Sequence, residues 1–215
     1  MAKRRPRARG ARSEATPSAG VAPVLLAAGA SQRLGTCKAL VDLGGRTPLA
    51  RLAQAVAGVA DAAPLVIAGH HVAELRAALP GGCELLENPD WAAGRTGGLK
   101  LTAGARAGFD LLVCPVDVPL VPASVCAELV AAWEGLGRPQ RGWLAPRHAG
   151  RFGHPVLLGR GLAAELLHFG PDRPLSDLRR SAEPLLALET ASQEVLDDLD
   201  TPEDLAELRR RILAE

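Results

Sequence analysis

Short apolar runs alternate with longer stretches of helical periodicity along most of this chain. Val21–Ala28 (VAPVLLAA) is continuously apolar and reads as a buried strand, with Pro48–Val59 as the helix behind it. Pro64–Ala68 repeats the strand pattern and Val72–Leu79 the helical one. Cys83–Leu86 begins a third strand that stops at Asn88-Pro89, and a helix follows WAAGRTGG through about Ala107. Asp110–Val116 (DLLVCPV) is a strongly apolar fourth strand closed by Asp117-Val118-Pro119. Pro122–Gly135 is then helical, with Ala123, Leu129, Ala132 and Trp133 on its buried face.

This alternation predicts an α/β fold with a mostly parallel central sheet covered on both faces. Right-handed crossovers bring the strand C-termini, and the loops after them, to one edge, where open α/β sheets bind ligands. Gly29 and Arg33 after the first strand, Asn88 after the third and Asp117 after the fourth are expected there. The second half is less regular. Gly142–His148 and Gly153–Leu158 read as strands joined by a Gly-rich turn, a small antiparallel excursion. Leu162–Leu167 and Leu175–Ser181 read as helices, and Leu185–Glu189 as a strand. Thr201-Pro202-Glu203-Asp204 supplies an N-cap, a proline at the first helical position and early acids for a last helix through Ala214.

A length of 215 residues fits one such domain, placed at 21–215 behind a basic tail at 1–20. Aromatics are only 3 % with no Tyr, so the core is expected to be aliphatic. The tail carries Lys3, Arg4, Arg5, Arg7, Arg9 and Arg12 against Glu14, a net of +5, which leaves −4 for the other 195 residues of a chain at +1. A mildly acidic body argues against nucleic-acid binding by the folded part. The Arg-, Pro- and Gly-rich tail buries too little apolar surface to order itself. No apolar segment follows its arginines as in a secretory leader, and no run approaches the ~20 residues of a membrane helix. Cys37, Cys83, Cys114 and Cys126 form no CxxC pair, which points to reduced thiols and a cytoplasmic setting rather than zinc or disulfides.

The chemistry concentrates in Leu25–Lys38, LLAAGASQRLGTCK. Gly29 and Gly35 allow close backbone approach, and Arg33 and Lys38 add fixed positive charge, a combination suited to a polyphosphate. Two better-known phosphate loops fail. The glycines and Lys38 miss the GxxxxGK[ST] spacing, and Gly29-Ala30-Ser31 breaks GxGxxG at its second glycine. A plain strand-to-helix turn with surface cations is the bland alternative. Asp117 has one as a turn cap, Asn88 as an Asx turn before Pro89, and Asp198 and Asp200 as acids at a helix N-terminus. His154 between Gly153 and Pro155 fits a turn as well as a substrate contact. His70-His71 needs further ligands before two adjacent rings could hold a metal, and Cys37 beside Lys38 has no required role.

The segment Leu26-Ala27-Ala28-Gly29 with Ser31, Arg33, Gly35 and Lys38 resembles the signature LAAGxSxRxGxxK of the MobA-like nucleotidyltransferase family, molybdenum cofactor cytidylyltransferase branch. Further landmarks follow in the family's order: Asn88-Pro89-Asp90-Trp91-Ala92-Ala93-Gly94, Asp117-Val118-Pro119, Gly153-His154-Pro155 and Asp198–Leu205. The resemblance implies a Rossmann-like three-layer sandwich, a nucleoside triphosphate and Mg2+. It implies that Leu26, Ala27, Ala28, Gly29, Ser31, Arg33, Gly35, Lys38 and Asn88 bind the nucleotide, with Arg33 and Lys38 as the catalytic cations. Asp117 would hold the metal together with a late acid, Asp200 being preferred to Asp198. Gly94, Gly153 and His154 fall to the acceptor. In this family LAAG accompanies cytidine and LAGG guanosine nucleotides, so Ala28 points to CTP.

The implied reaction is attack by a phosphate-bearing acceptor, molybdopterin or molybdenum cofactor, on the α-phosphorus of CTP, with release of pyrophosphate and a possible hand-over contact with a molybdoenzyme or its chaperone. Two departures bear on the acceptor and metal edge: Arg95-Thr96-Gly97-Gly98-Leu99 replaces a Ser-rich turn, and Val118 stands where the family often has glutamine. A GTP-dependent transferase on the same cofactor, a CTP-dependent one on a sugar or polyol phosphate, and a non-catalytic nucleotide-binding delivery protein remain as alternatives.

Overall fold

The computed structural model describes residues 19–59, 61–170 and 175–214, so the basic tail falls almost wholly outside the described residues. The first half is a regular alternation: β1 (Val21–Ala27), α1 (Pro48–Ala57), β2 (Leu65–Ala68), α2 (Val72–Ala77), β3 (Glu84–Glu87), α3 (Arg95–Ala105), β4 (Asp110–Pro115) and α4 (Ala123–Gly135). The second half holds β5 (Trp143–His148), β6 (Arg151–Phe152), β7 (Val156–Leu158), α5 (Arg160–Glu165), α6 (Leu175–Arg180), β8 (Leu185–Glu189) and α7 (Pro202–Ala214). The eight strands form one sheet in the order β3-β2-β1-β4-β7-β5-β6, with β8 on β5. Pairing is parallel from β3 through β4 and between β5 and β8, and antiparallel where β7 meets β4 and β5 and where β6 meets β5.

Alternation along the strands builds two cores, one on each face. Leu112 and Cys114 of β4 turn to the face covered by Leu49, Leu52 and Val56 of α1 and Leu129 and Trp133 of α4. Leu111 and Val113 turn to the other, under Leu99 of α3, Leu162 of α5, Phe169 and Leu178. The cores are aliphatic, as the composition requires. Two expectations shift. Ala123 is exposed, and the buried stripe of α4 runs through Val125, Cys126, Leu129, Val130 and Trp133. The helix expected after WAAGRTGG starts within that motif, at Arg95, following a 3-10 turn at Trp91–Ala93.

The strand expected over Gly153–Leu158 is broken. Gly153 donates its backbone N–H to Pro146 O (2.8 Å) and His154 to Val195 O (2.9 Å), and Pro155 has no N–H to give the ladder. The pairing register on β5 therefore slips by two residues between β6 and β7. A small third cluster, Leu43, Leu199 and Leu208, seats α7 against the loop after the first strand. Arg209 reinforces it by donating from Nε and Nη2 to Asp42 O at 2.9 and 2.7 Å. That contact brings the late acidic segment back to the first loop.

Candidate active site

The loops at the C-terminal edge of β1, β2, β3 and β4 enclose a cleft of about 430 Å3. Its walls include Leu26, Ala27, Ala28, Gly29, Ser31, Arg33 and Lys38 from the first loop, Asn88 and Gly94 after β3, Asp117 after β4, and Asp200. These residues come from positions as far apart as 26 and 200, and topology alone unites them. Trp91, Ile67 and Gly98 also line the cleft, although no spacing in the sequence singled them out. Trp91 was inside a recognised motif, and its ring stands edge-on to His70 with centroids 4.8 Å apart.

The first loop is held by its own polar groups. Ser31, at a φ of 51°, accepts at its carbonyl from the N–H groups of Leu34 (3.1 Å) and Gly35 (3.0 Å). Its hydroxyl accepts from the backbone N–H of Lys38 at 3.1 Å, which fixes the start of the 3-10 turn Lys38–Leu40. Gly35 does not line the cleft. Its φ of 75° shapes the turn, and that conformation is what requires a glycine. Gly29 does line the cleft, and a Cβ there would project into open space.

Asp200 joins the loop to the late segment. Its Oδ1 accepts from Lys38 Nζ at 2.5 Å and its Oδ2 from Arg33 Nη2 at 2.6 Å. The Lys38 hydrogen bond, with the charges of Lys38 and Arg33, lowers the Asp200 carboxyl below its ordinary range despite some desolvation. The backbone at Asp200 is set by a capping arrangement. Asp204 Oδ2 accepts from the N–H groups of Asp200 (3.0 Å) and Thr201 (2.8 Å), and Asp204 N–H donates back to Thr201 Oγ1 at 3.2 Å. Leu199 N–H donates to Asp117 O at 2.7 Å, which ties the segment to the end of β4. Asp198 is exposed and off the cleft wall. Burial pushes its carboxyl up, reinforced by Asp117, Asp200 and Asp204 and opposed by Lys38.

A folded carboxyl more acidic than the unfolded one stabilises at high pH and loses that contribution as pH falls through the folded value. The stability difference between wild type and Asp200→Asn is therefore expected to be full at neutral pH. It closes only as pH falls below the ordinary aspartate value of 3.8, read as melting temperature against pH for both proteins. A difference that closes nearer neutrality would mean that Asp200 is not held by these cations.

Asn88 is 2 % exposed, and its Nδ2 has no hydrogen-bond partner among the described residues. The two glycines of the RTGG stretch lie against it: a Cβ at Gly97 or Gly98 would come within 3.6–3.7 Å of the Asn88 amide. Gly153 and His154 are not brought to the cleft wall. Gly153 packs backbone to backbone, where a Cβ would come within 2.4 Å of Val195 O. All four cysteines are free thiols. Among the described residues no helix is long and apolar enough to cross a membrane.

No curated protein matches the sequence closely enough to count as a relative. Among solved structures, Rv0371c from Mycobacterium tuberculosis H37Rv superposes with a TM-score of 0.72 at 25 % identity, covering 91 % of this chain and 99 % of its own. A structure of Rv0371c in complex with manganese is also similar, with a TM-score of 0.70 at 23 % identity over 89 % of this chain and 98 % of its own. Molybdopterin-guanine dinucleotide biosynthesis protein A from Archaeoglobus fulgidus gives 0.69 at 16 % identity, covering 90 % and 100 %. The 4-diphosphocytidyl-2C-methyl-D-erythritol synthase of Anaerococcus prevotii gives 0.68 at 10 % identity, covering 90 % and 96 %. Residues 23–189, well over half of the chain, match the MobA-like NTP transferase domain. With the signature loop and both aspartates on one cleft, the chain belongs to the MobA-like NTP transferase family and is a nucleotidyltransferase.

Proposed function

We propose that this nucleotidyltransferase moves CMP from CTP to the phosphate of molybdopterin or the molybdenum cofactor, in the cytoplasm, with Mg2+ as its ion. The observation that carries the reading is the convergence on one cleft of the cationic loop Gly29–Lys38 with Asp117 and with Asp200, which is ion-paired to Arg33 and Lys38. Arg33 and Lys38 grip carboxylate oxygens with their charged ends, and the same geometry suits phosphate oxygens. Nucleotide binding would exchange one set of anionic partners for another.

In the reaction an acceptor phosphate oxygen forms a bond to the α-phosphorus of CTP while the α–β anhydride bond breaks and pyrophosphate leaves. The acceptor is already an anion, so no general base is required. Arg33 and Lys38 neutralise charge that builds on the transferring and leaving phosphates. Asp117 and Asp200 are hard oxygen donors. Two carboxylates completed by substrate phosphates fit Mg2+. When bound there, the ion supplies further charge neutralisation and orients the triphosphate. Asn88 Nδ2, buried and with a free donor, suits an acceptor atom on the nucleoside.

The base assignment rests on Ala28. Relatives named for guanine and for cytidyl products share this fold, so the fold itself does not select the base. Thermal stability in the presence of CTP, GTP, ATP or UTP, each with and without Mg2+, tests it. At ~100 times its Kd a ligand adds roughly 2.7 kcal/mol, which should raise Tm by about 5–10 °C at this size. A Mg2+-dependent rise with CTP alone, followed by pyrophosphate release on adding the molybdopterin acceptor, is the expected result. A rise with GTP alone overturns the base. CTP binding with no turnover on any acceptor favours a delivery protein.

A further inference from the structure

Among the described residues one mixed group of metal-ligating side chains lies off the carboxylate edge: Cys37, His71 and Glu74. One ligand atom of each falls within 4.8 Å of the other two. Adjacent His70 and His71 do not share a site. His70 turns its ring to Trp91, and His71 turns toward chain segments from elsewhere. Cys37 immediately precedes Lys38 and is 5 % exposed, whereas the Glu74 side chain is 59 % exposed, so the group is closed on the sulfur side and open on the carboxylate side.

We propose that Cys37, His71 and Glu74 form a second metal site for a borderline-soft divalent ion, Zn2+ by donor chemistry, which clamps the phosphate loop to the start of α2. His71 Nε2 lies 3.4 Å from Ala30 O and Nδ1 lies 3.1 Å from Glu74 Oε1. With Nε2 donating to the Ala30 carbonyl, Nδ1 is the ligand atom left beside Glu74 and Cys37, the arrangement a metal-bound histidine commonly has. An ordinary contact between positions three apart on a helix would account for His71 and Glu74 alone. It would not account for the thiol.

Thiolate, imidazole and carboxylate together are a Zn2+ donor set, whereas Mg2+ takes hard oxygen ligands. Tetrahedral Zn2+ places its ligand atoms about 3.2–3.8 Å apart, so the present spacing closes with small side-chain adjustments. Three protein ligands leave a fourth position for water or a phosphate oxygen. The sulfur binds as thiolate, and its proton passes to solvent on metal binding. Ala30 and Cys37 lie on either side of Arg33 in the same loop, so occupancy of the site holds both ends of the cationic stretch.

Titration of the purified full chain with Co2+ as a spectroscopic probe tests the site without nucleotide or acceptor, so its outcome is separate from the function proposed above. The expected result is one Co2+ per chain with a thiolate-to-metal charge-transfer band in the near ultraviolet. Zn2+ should displace it and excess Mg2+ should not. The band should be lost in Cys37→Ser and in His71→Ala and kept in Cys83→Ser, which removes the one thiol that is not buried. His71 lies at the start of α2 outside both large core clusters, so His71→Ala decides the matter if Cys37→Ser does not fold. No band in the wild type, a band that survives both ligand variants, or displacement by Mg2+ overturns the proposal.

Discussion

Lys38→Met is expected to lower turnover by about a hundred- to a thousandfold at saturating nucleotide and acceptor, with KM for the nucleotide little changed. The side chain of Lys38 is only 15 % exposed and that of Arg33 is 69 % exposed. Charge in the less solvated position acts through a lower effective dielectric, so on the proposed function the lysine would carry more of the stabilisation of the leaving pyrophosphate. Arg33→Met should therefore cost less, about tenfold. Removing Lys38 leaves Asp200 with Arg33 as a remaining partner, and the loop keeps its Ser31 contacts, which use backbone atoms of residue 38. Melting temperature should accordingly move little, which separates a chemical loss from a folding one. Pyrophosphate release by the two variants, fitted for kcat and KM, is the measurement. Wild-type turnover in Lys38→Met, or a larger loss in Arg33→Met, would refute this division of labour.

The first half of the fold was legible because its apolar runs are short, continuous and separated by helical periodicity, and parallel topology then fixes where their C-termini meet. The placement of Gly29, Arg33, Asn88 and Asp117 at one edge follows from that logic alone. Asp200 was singled out by the resemblance rather than by the fold; Thr201-Pro202-Glu203-Asp204 announces only the helix start behind it, and the observed capping hydrogen bonds sit where that sequence puts them. What holds Asp200 over the loop was not legible. It depends on Leu43, Leu199 and Leu208 meeting across the chain, a tertiary contact with no local signal. The same limit explains Gly153 and His154. A Gly-His-Pro stretch is compatible with a binding turn or a packed one, and Val195, against which its backbone packs, lies some forty residues away. Cys37, His71 and Glu74 show it once more: each has an unremarkable local context, and only the turn after β2 brings them together.

Asp110 opens β4 and Asp117 lies in the turn two residues past its other end, with a strand of roughly 17 Å between at about 3.3 Å per residue, and the structure gives them opposite work. Asp117 faces the cleft. Asp110 is fully buried at the far edge, where Oδ2 accepts from Trp133 Nε1 at 3.1 Å and Oδ1 from the backbone N–H of Arg160 at 2.9 Å. The Arg160 guanidinium approaches Oδ1 at 3.6 Å, so one carboxylate joins β4 to α4 and to the start of α5. Asp110→Ala would strand a buried indole N–H and a backbone N–H and take the carboxylate from beside a largely buried cation that keeps Arg138 O, and breaking such a pair costs about 3–5 kcal/mol. At about 2–4 °C per kcal/mol for a chain of this length, Tm should fall by roughly 10 °C. Asp110→Asn keeps one carbonyl acceptor but turns an amide N–H toward a donor, so it should recover only part of the loss. Trp133→Phe should cost less in the Asp110→Ala background than in the wild type, because its N–H then has nothing to lose. At temperatures well below the transition these variants should keep wild-type nucleotide affinity, since the group removed lies at the edge of the sheet away from the cleft. Additive losses in the cycle would show that Asp110 and Trp133 do not act as a pair. A fall in nucleotide affinity without a fall in Tm would mean that the far edge of β4 is coupled to the cleft in a way the hydrogen bonds do not account for.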